Sequence, residues 1–182
     1  MSGWGKLAAR VRVTSGFVAA VLYVVYSRPS RASLAVGLPV ALAGLFLRGW
    51  ACGHLAKNQK LATTGPFAYT RNPLYAGTLT VAAGFALAGW NAWLAALFVV
   101  YFLAVYLPVI GEEESHLRTL FSEYYQYAER VPRLVPRLTP AYRGGRFRWE
   151  LWRRNREYQA GLGFLAGAVL LVVKLWTTPG AR

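Results

Sequence analysis

Five long apolar segments, separated by short polar or basic stretches, run along the chain. A membrane-spanning helix needs about 20 predominantly apolar residues, and each segment approaches that length. The segments are residues 13–26 (which the pattern extends back through residues 7–12), 33–55, 73–88, 92–110 and 157–176. The pattern therefore predicts an all-α, polytopic membrane protein with about five transmembrane helices.

The third and fourth segments are predicted to form a tight antiparallel hairpin, because only the uncharged residues 89–91 separate them. Small residues recur at every fourth position of the third segment, at Ala76, Thr80 and Gly84. Such a stripe favours close packing between membrane helices.

Two further stretches are amphipathic, which predicts helices at the membrane surface. Residues 115–130 would place Leu117, Leu120, Phe121 and Tyr124 on one helical face. Residues 142–156 interleave arginines with aromatic side chains, and are predicted to form a helix in the interface that touches anionic lipid. The fold prediction therefore includes cytoplasmic interfacial helices.

The charge distribution predicts the orientation of the helices. The chain has 21 Lys and Arg residues against 7 acidic residues, a net charge of +14. With a cytoplasmic N-terminus, sixteen of the 21 basic residues fall on the cytoplasmic side, so the positive-inside rule predicts N-in, C-out. A nucleic-acid partner is excluded, because the arginines lie between apolar segments and no nucleic-acid-binding module is recognisable.

Few residues are suited to redox or metal chemistry. Cys52 is the only cysteine, which excludes an intrachain disulfide and argues against a zinc cluster. His54 and His116 are the only histidines, too few for a histidine-rich di-iron oxidase. No metal site is predicted.

The chain is predicted to be a single membrane domain over residues 1–182. Residues 1–60 would form a helical hairpin, residues 61–140 a core with the polar motifs, and residues 141–182 the basic interfacial helix and the last span. A cleaved signal peptide is an alternative for the first apolar segment, but no small-residue cleavage site clearly follows it.

Polar residues gather between residues 61 and 77. Gly65-Pro66 marks a turn, and Asn72-Pro73 restarts a helix with Asn at the N-cap and Pro at the first helical position. The unpaired backbone N–H groups and the dipole at such a start can hold a carboxylate. The alternative is that the stretch only caps a membrane helix.

Three of the seven acidic residues stand together at Glu112–Glu114. Because the third and fourth segments are antiparallel, we expect these acids and Asn72 at the same cytoplasmic face. Glu113 and Glu114 precede Leu117 by four and three residues, so both are predicted to lie near the inward, apolar face. Glu112 is expected to be more exposed.

Arg48 is a further candidate, because ionisable side chains inside a membrane span are rare and often functional. The alternative is that its guanidinium extends to the interface beyond His54. Glu112–Glu114 also have a structural alternative, in which they stabilise the N-terminus of a helix and Glu114 pairs with Arg118.

Two signatures, one on either side of the predicted hairpin, resemble those of integral-membrane methyltransferases. Residues 65–77 read Gly-Pro-Phe-Ala-Tyr-Thr-Arg-Asn-Pro-Leu-Tyr-Ala-Gly, similar to Gly-Pro-Tyr-x-x-x-Arg-His-Pro-x-Tyr-x-Gly. Residues 113–127 and the Val-Pro-Arg at 131–133 are similar to Glu-Glu-x-x-Leu-x-x-x-Phe-Gly-x-x-Tyr-x-x-Tyr followed by Val-Pro-Arg. Roughly residues 48–136 thus resemble the isoprenylcysteine carboxyl methyltransferases and the related phospholipid methyltransferases.

The resemblance implies S-adenosylmethionine as the cofactor and a lipophilic acceptor, such as an isoprenylcysteine-like carboxylate or a lipid amine. The cofactor-binding residues that it implies are His54, Lys57, Asn72, Pro73, Tyr75, Gly77, Glu113 and Glu114. The catalytic candidates are Glu113, Glu114, Arg71 and Asn72. The expected partners are membrane lipids and a lipophilic or lipidated substrate, with the active site facing the cytoplasm and the oligomeric state open.

The chemistry of the cofactor suggests roles for these residues. Tyr75 would pack on the adenine or ribose, and Glu113 or Glu114 would bind the ammonium or a ribose hydroxyl, or accept a proton from an amine or hydroxyl acceptor. Arg71 or Arg48 would hold an anionic acceptor group. Methyl transfer from a sulfonium mainly requires alignment and the exclusion of water.

The sequence departs from the family pattern at Asn72, where the family usually has His, and at Ser122, where it has Gly. The first change removes a titrating imidazole. Two other functions stay open: an NADPH-dependent, sterol-reductase-like membrane oxidoreductase, and a non-enzymatic membrane scaffold or transporter. No separate dinucleotide fingerprint supports the former, and the latter leaves the paired signatures unexplained.

Overall fold

The computed structural model describes residue 16 and residues 18–177, and all regular secondary structure in those ranges is helical. The helices, numbered in chain order, are α1 (18–26 as described), α2 (Arg31–Cys52), α3 (Pro73–Gly89), α4 (Ala92–Tyr101), α5 (Leu107–Leu120), α6 (Tyr124–Arg130), α7 (Trp149–Arg154) and α8 (Tyr158–Thr177). A 3-10 turn at Gly65–Ala68 precedes α3, and a π-helical turn at Phe102–Tyr106 joins α4 to α5. The predicted all-α class is confirmed.

Three helical stretches of the described chain are long and apolar enough to cross a membrane: α2, the continuous stretch Ala92–Leu120, and α8. The third predicted span is the apolar but shorter helix α3, which has 17 residues. Residues 7–15 and 17, half of the first predicted span, lie outside the described residues, and residues 18–26 are helical. The signal-peptide alternative concerns the same part of the chain and is not tested.

Helices α2 and α3 form the most extensive helix pair in the described chain. A Cβ atom on Gly84 would collide with the backbone of Ala41, so the two backbones touch where the small residue stands. Ser33 Oγ also donates a hydrogen bond to the carbonyl oxygen of Ala88 at 2.9 Å. The predicted stripe of small residues therefore serves the contact between α2 and α3.

The turn between α3 and α4 lies where the sequence predicts it. Trp90 adopts a left-handed conformation with φ 44° and ends α3. Asn91 Oδ1 accepts a hydrogen bond from the Trp93 N–H at 2.9 Å and caps α4. The resulting antiparallel hairpin returns the chain to the end of the bundle where α3 begins.

The fourth span does not end before the acidic residues. The sequence pattern ends it at residue 110, whereas α5 continues to Leu120 and contains Glu112–Glu114. The backbone hydrogen bonds of a helix continue through charged residues when those residues find partners or solvent. The π-helical turn ends at Tyr106, two residues before Pro108, whose missing N–H interrupts the α-helical ladder.

The prediction of one amphipathic helix over residues 115–130 is wrong. Phe121 has extended backbone (φ −129°, ψ 115°), and α6 begins only at Tyr124. The break lets Tyr127 pack beneath the 3-10 turn, where its hydroxyl donates to the carbonyl oxygen of Phe67 at 2.8 Å. Leu120, predicted to face inward, is exposed.

The predicted interfacial helix over residues 142–156 is also shorter than expected, because only α7 is helical. Gly144 and Gly145 have φ of 95° and 77°, which excludes a right-handed helix there. Helix α7 is held against the end of α2: the Arg148 N–H donates to Gly53 O, and Asn155 Nδ2 donates to Cys52 O.

Helix α8 is fixed to the bundle by its C-terminal half. Leu171 is fully buried in a cluster with Leu34 and Ala88. Near its C-terminus, Lys174 Nζ donates hydrogen bonds to the carbonyl oxygens of Val24 at 2.6 Å and Val25 at 3.0 Å, at the end of α1. These contacts satisfy carbonyl groups that the end of a helix leaves unpaired.

Candidate active site

The start of α3 lies directly beside the acidic part of α5. Asn72 Nδ2 donates hydrogen bonds to Glu114 Oε1 and to the carbonyl oxygen of Arg133, each at 2.9 Å. Asn72 is the N-cap residue and Pro73 is the first helical residue, as predicted. The Asn72 side chain makes no capping bond, because its amide joins α3 to α5 instead.

Glu114 lies at the buried centre of an ionic cluster. Its side chain is 8% exposed, with Arg71 Nε 3.5 Å from Oε1 and Arg133 Nε 3.3 Å from Oε2. Two guanidinium groups and one amide thus compensate the buried carboxylate. The alternative pairing with Arg118 is not formed, since that guanidinium lies over the ring of Tyr125 at 5.6 Å.

Glu113 occupies a different environment. Its carboxylate is exposed and accepts a hydrogen bond from the Tyr75 hydroxyl at 2.8 Å. The prediction that both glutamates face inward is therefore wrong for Glu113. Consecutive residues of an α-helix point about 100° apart, so Glu113 cannot share the buried direction of Glu114.

The segment after α6 closes the cluster from a third side. The Arg71 N–H donates to Pro132 O at 2.9 Å, and Thr70 Oγ1 donates to Arg133 O at 3.2 Å. These bonds hold the Arg133 side chain near Glu114. The sequence prediction assigned no role to Arg133, although the Val-Pro-Arg part of the second signature was the available signal.

An apolar cavity of about 500 Å³ opens between α1, α3, α4 and α8. Thr78, one turn along α3 from Tyr75, and Tyr106 of the π-helical turn both line it. The rings of Tyr75 and Tyr106 meet edge to face with their centroids 5.9 Å apart. The cavity wall is therefore continuous with the side chain that contacts Glu113.

Burial makes the phenols behind the cluster weaker acids than exposed tyrosines. Burial, with a further contribution from the Glu114 charge, raises the pKa of Tyr124 to about 12. Burial also raises the pKa of Tyr127. Both hydroxyls are neutral at physiological pH, so neither serves there as a proton acceptor.

Residues 34–124 match the sequence profile of the phospholipid methyltransferase family. That range is half of the chain and contains both sides of the cluster formed by Asn72 and Glu114. The chain belongs to the phospholipid methyltransferase family. Members of this family are membrane methyltransferases, in agreement with the apolar helices found here.

Two relatives of this phospholipid methyltransferase family member are named for metal resistance. The cobalt-zinc-cadmium resistance protein CzcN of Cupriavidus metallidurans is 32% identical over 111 residues, or 60% of this chain and 50% of that protein. The nickel-cobalt-cadmium resistance protein NccN of Alcaligenes xylosoxydans xylosoxydans is 32% identical over 112 residues, or 60% of this chain and 53% of that protein. The chain thus spans about half the length of these relatives. No solved structure matches it.

Three of the predicted cofactor-binding residues lie toward α2 rather than α5. His54 follows α2, with Nδ1 3.3 Å from Thr64 Oγ1, and burial lowers its pKa, which favours the neutral imidazole. Lys57 is exposed on the turn that follows. Gly77 packs against α2, where a Cβ would lie 2.6 Å from Arg48 Cγ. Their part in cofactor binding stays a prediction.

Arg48 has a partner that the sequence prediction missed. Its Nε lies 2.8 Å from Glu157 Oε1 and its Nη2 lies 3.0 Å from Oε2, a bidentate pair between α2 and the start of α8. Arg48 Nη1 also donates to Thr78 Oγ1, on the wall of the cavity. Only the folded bundle brings these residues, 109 positions apart, into contact.

The relatives' names prompt the question of a metal site in this phospholipid methyltransferase family member. Among the described residues, no group of three or more His, Cys, Asp or Glu side chains is placed to hold a metal ion.

Proposed function

We propose that the chain is an S-adenosylmethionine-dependent membrane methyltransferase that acts on a lipophilic acceptor at the cytoplasmic face. One observation supports this above the others: the two signatures meet at the start of α3, through the contacts Asn72–Glu114 and Tyr75–Glu113. They meet beside an apolar cavity that Tyr106 lines.

The charged groups of the site fit the cofactor. S-adenosylmethionine would supply an electrophilic methyl group on a sulfonium, together with a carboxylate and an ammonium to be bound. Glu113, exposed and hydrogen-bonded to Tyr75, suits the ammonium. Arg71 Nε is buried without a hydrogen-bond partner in the described chain, although it lies 3.5 Å from Glu114. Arg71 and the start of α3 would therefore bind the carboxylate.

The two glutamates would have separate roles. Glu114 is occupied by Arg71, Arg133 and Asn72, so we assign it the role of holding these residues in place. Glu113 would contact the cofactor, or accept a proton where the acceptor is an amine or a hydroxyl. A carboxylate acceptor would need no base.

The cavity supports a lipophilic acceptor. Its walls are mainly apolar side chains of α1, α3, α4 and α8, and its volume lies in the range of small-molecule pockets. The hydrocarbon part would lie between the helices, and the reactive carboxylate or amine would point toward Tyr75 and Glu113. The edge-to-face contact of Tyr106 with Tyr75 would then separate the hydrocarbon from the charged groups.

The proposed topology has five spans with the N-terminus in the cytoplasm. The bias of basic residues supports it, and α1 and α3 would add to the three helices long enough to span. Single cysteines at Asn58 and Trp93, in a Cys52→Ala background, would test it. An impermeant maleimide should label Trp93→Cys in intact cells and spare Asn58→Cys. The reverse result would overturn the orientation.

The first experiment is calorimetric binding of S-adenosylmethionine, its demethylated product and NADPH to the purified protein in detergent. We expect micromolar binding of the first two and a loss of at least tenfold in affinity in Glu113→Gln, because a charge-assisted bond is removed. Glu123→Gln, an exposed glutamate on the far side of the Phe121 break, is the matched control and should bind normally.

Each other result has a defined meaning. Binding of NADPH alone would replace the methyltransferase with a reductase. Binding of none of the three, by protein with an intact unfolding transition, would favour a scaffold or transporter. Equal affinity in Glu113→Gln and wild type would remove Glu113 from the site.

The identity of the acceptor is tested by measuring methyl transfer to a prenylated cysteine and to phosphatidylethanolamine in lipid nanodiscs. Tyr106→Leu should raise the KM of the accepted substrate severalfold and leave cofactor affinity unchanged. Leu103→Ala, on the exposed side of the same π-helical turn, is the control. An unchanged KM in Tyr106→Leu would exclude the cavity as the acceptor site.

The names of the relatives suggest a biological setting, in which methylation contributes to metal tolerance. We infer that this contribution would depend on methyl transfer. A strain lacking the gene should lose cobalt, zinc or cadmium tolerance that wild type restores and Glu113→Gln does not. Equal restoration by wild type and by Glu113→Gln would show that metal tolerance does not depend on methyl transfer.

A further inference from the structure

We propose that the end of the bundle formed by α7 and the turn after α2 is a binding surface for the headgroups of anionic phospholipids. We call it the basic rim, and it consists of Lys57, Lys60 and the six arginines between residues 143 and 156. The inference needs only the membrane location of the protein and is independent of the proposed reaction.

The basic rim lies at the level where two membrane-spanning helices meet the interface. Helix α7 stands between the C-terminus of α2 and the N-terminus of α8, and Asn155 Nδ2 joins it to the carbonyl oxygens of Cys52 at 3.1 Å and Leu55 at 3.0 Å. The 56–60 turn is joined to the same helix, since the Gln59 amide oxygen, in the orientation that satisfies both groups, accepts from Arg154 at 2.9 Å and 3.0 Å. The two lysines and the arginines therefore share one surface.

The charge of this surface is strongly one-sided. All eight basic side chains of the basic rim are exposed. The acidic residues of the same stretch are Glu150, which lies 3.8 Å from Arg148, and Glu157, which is buried against Arg48. Each cation near an anionic membrane surface contributes to lipid attraction, and clusters of this size are typical of anionic-lipid binding.

Exposed aromatic rings on the same surface indicate that it lies at the membrane interface. Trp149 is 65% exposed and meets the rings of Phe147 and Trp152 at centroid distances of 4.9 Å and 5.8 Å. Leu151 of the same short helix is buried and fixes α7 to the bundle. Exposed tryptophans prefer the headgroup level of a bilayer. A soluble polyanion would pair with the cations but leave these rings in water. Cations and rings together favour a lipid surface as the occupant.

The test uses quenching of Trp149 fluorescence by brominated lipids in nanodiscs. Brominated phosphatidylglycerol and brominated phosphatidylcholine are compared at the same mole fraction, and the Trp149 signal is the difference between wild type and Trp149→Phe. We expect several times stronger quenching by phosphatidylglycerol. Arg153→Gln with Arg154→Gln should reduce this preference, by up to about fivefold for each arginine.

Trp93 is the matched control. It is 85% exposed at the opposite end of the bundle, where the basic residues of the described chain are Arg28, Arg31 and Lys174. Quenching measured through Trp93→Phe should show a smaller preference for phosphatidylglycerol than the Trp149 signal, because fewer basic residues lie at this end. Arg143→Gln with Arg146→Gln, outside α7, repeats the test where the first pair of changes impairs folding.

Two results would overturn the proposal. One is an equal lipid preference at Trp149 and Trp93, which would mean that the basic rim does not select lipids by headgroup charge. The other is a Trp149 preference unchanged by both pairs of arginine substitutions. Binding of a soluble oligonucleotide in a gel shift, without any lipid preference, would mean that the basic rim binds nucleic acid instead of lipid.

Discussion

Neighbouring residues of one helix lie in opposite environments in this protein, and Glu113 and Glu114 are the clearest case. Glu114 is buried among Arg71, Arg133 and Asn72, whereas Glu113 is exposed beside Tyr75. The same substitution at the two positions therefore tests stability at one and binding at the other.

Glu114→Gln should lower the free energy of unfolding by about 3 kcal/mol, because it leaves the buried Arg71 guanidinium without its counter-ion, whereas Arg133 is 45% exposed and stays solvated. The melting temperature in detergent should fall by roughly 10 °C, and that of Glu113→Gln should stay close to wild type. Tryptophan fluorescence during heating measures both. Equal melting temperatures would mean that Glu114 is not a structural residue.

His54 predicts a pH dependence of stability. Burial lowers its folded-state pKa below the ordinary value of about 6.5, so the unfolded chain binds more protons in acid. The stabilisation is present above pH of about 6.5 and is lost as the pH falls through the lower, folded-state pKa. The melting temperature should therefore decline less steeply with acidity in His54→Gln than in wild type.

His116→Gln is the control for this experiment, because His116 is exposed and is the other histidine of the chain. Its pH profile should follow the wild-type profile. A His54→Gln profile that also follows wild type would show that other groups cause the acid sensitivity.

At the scale of elements, the contact between α2 and α3 holds the start of α3 in position. The contact depends on small residues, since Gly84 lies against the backbone of Ala41 and leaves no space for a side chain. Because α3 begins at Pro73, directly after the N-cap residue Asn72, a shift of α3 along α2 would move the candidate site.

Gly84→Val should destabilise the protein by about 1–3 kcal/mol or more, because the added methyl groups meet backbone that cannot move aside. Ala83→Val, at the neighbouring exposed position, adds comparable volume without the collision and should have little effect. Thermal unfolding of the two variants in the same detergent compares them. Similar melting temperatures would mean that the two helices can separate without cost.

At the scale of the whole molecule, the pair formed by Arg48 and Glu157 joins the start of α8 to α2. Both side chains are largely buried, at 24% and 5% exposure, and the pair adjoins Thr78 on the cavity wall. The pair formed by Arg148 and Glu150 has the same chemistry but is exposed, at 61% and 79%, and is longer at 3.8 Å.

Arg48→Gln should therefore cost about 3–5 kcal/mol, because it leaves a buried carboxylate unpaired. Arg148→Gln, the exposed counterpart, should cost less than about 1 kcal/mol. Melting temperatures of the two variants, and of Arg48→Gln combined with Glu157→Gln, test the assignment. Partial recovery in the double variant is expected, and equal losses at Arg48 and Arg148 would contradict it.

Local patterns in the sequence determined the class of the protein and the position of its motifs. Apolar length predicts the helices, Asn72-Pro73 predicts the start of α3, and residues 89–91 predict the hairpin that brings Glu114 to Asn72. These features depend on hydrophobicity and backbone preference within a few residues, which a sequence displays directly.

The tertiary structure alone decided which partners the charged residues have. Arg133 reaches Glu114, and Glu157 reaches Arg48, across long separations in sequence. The break at Phe121 likewise follows from packing of Tyr127 beneath Phe67, not from a local breaker such as Gly or Pro. An ion pair or a buried ring is stabilised by whatever neighbour the fold supplies, so its partner is fixed only when the helices pack.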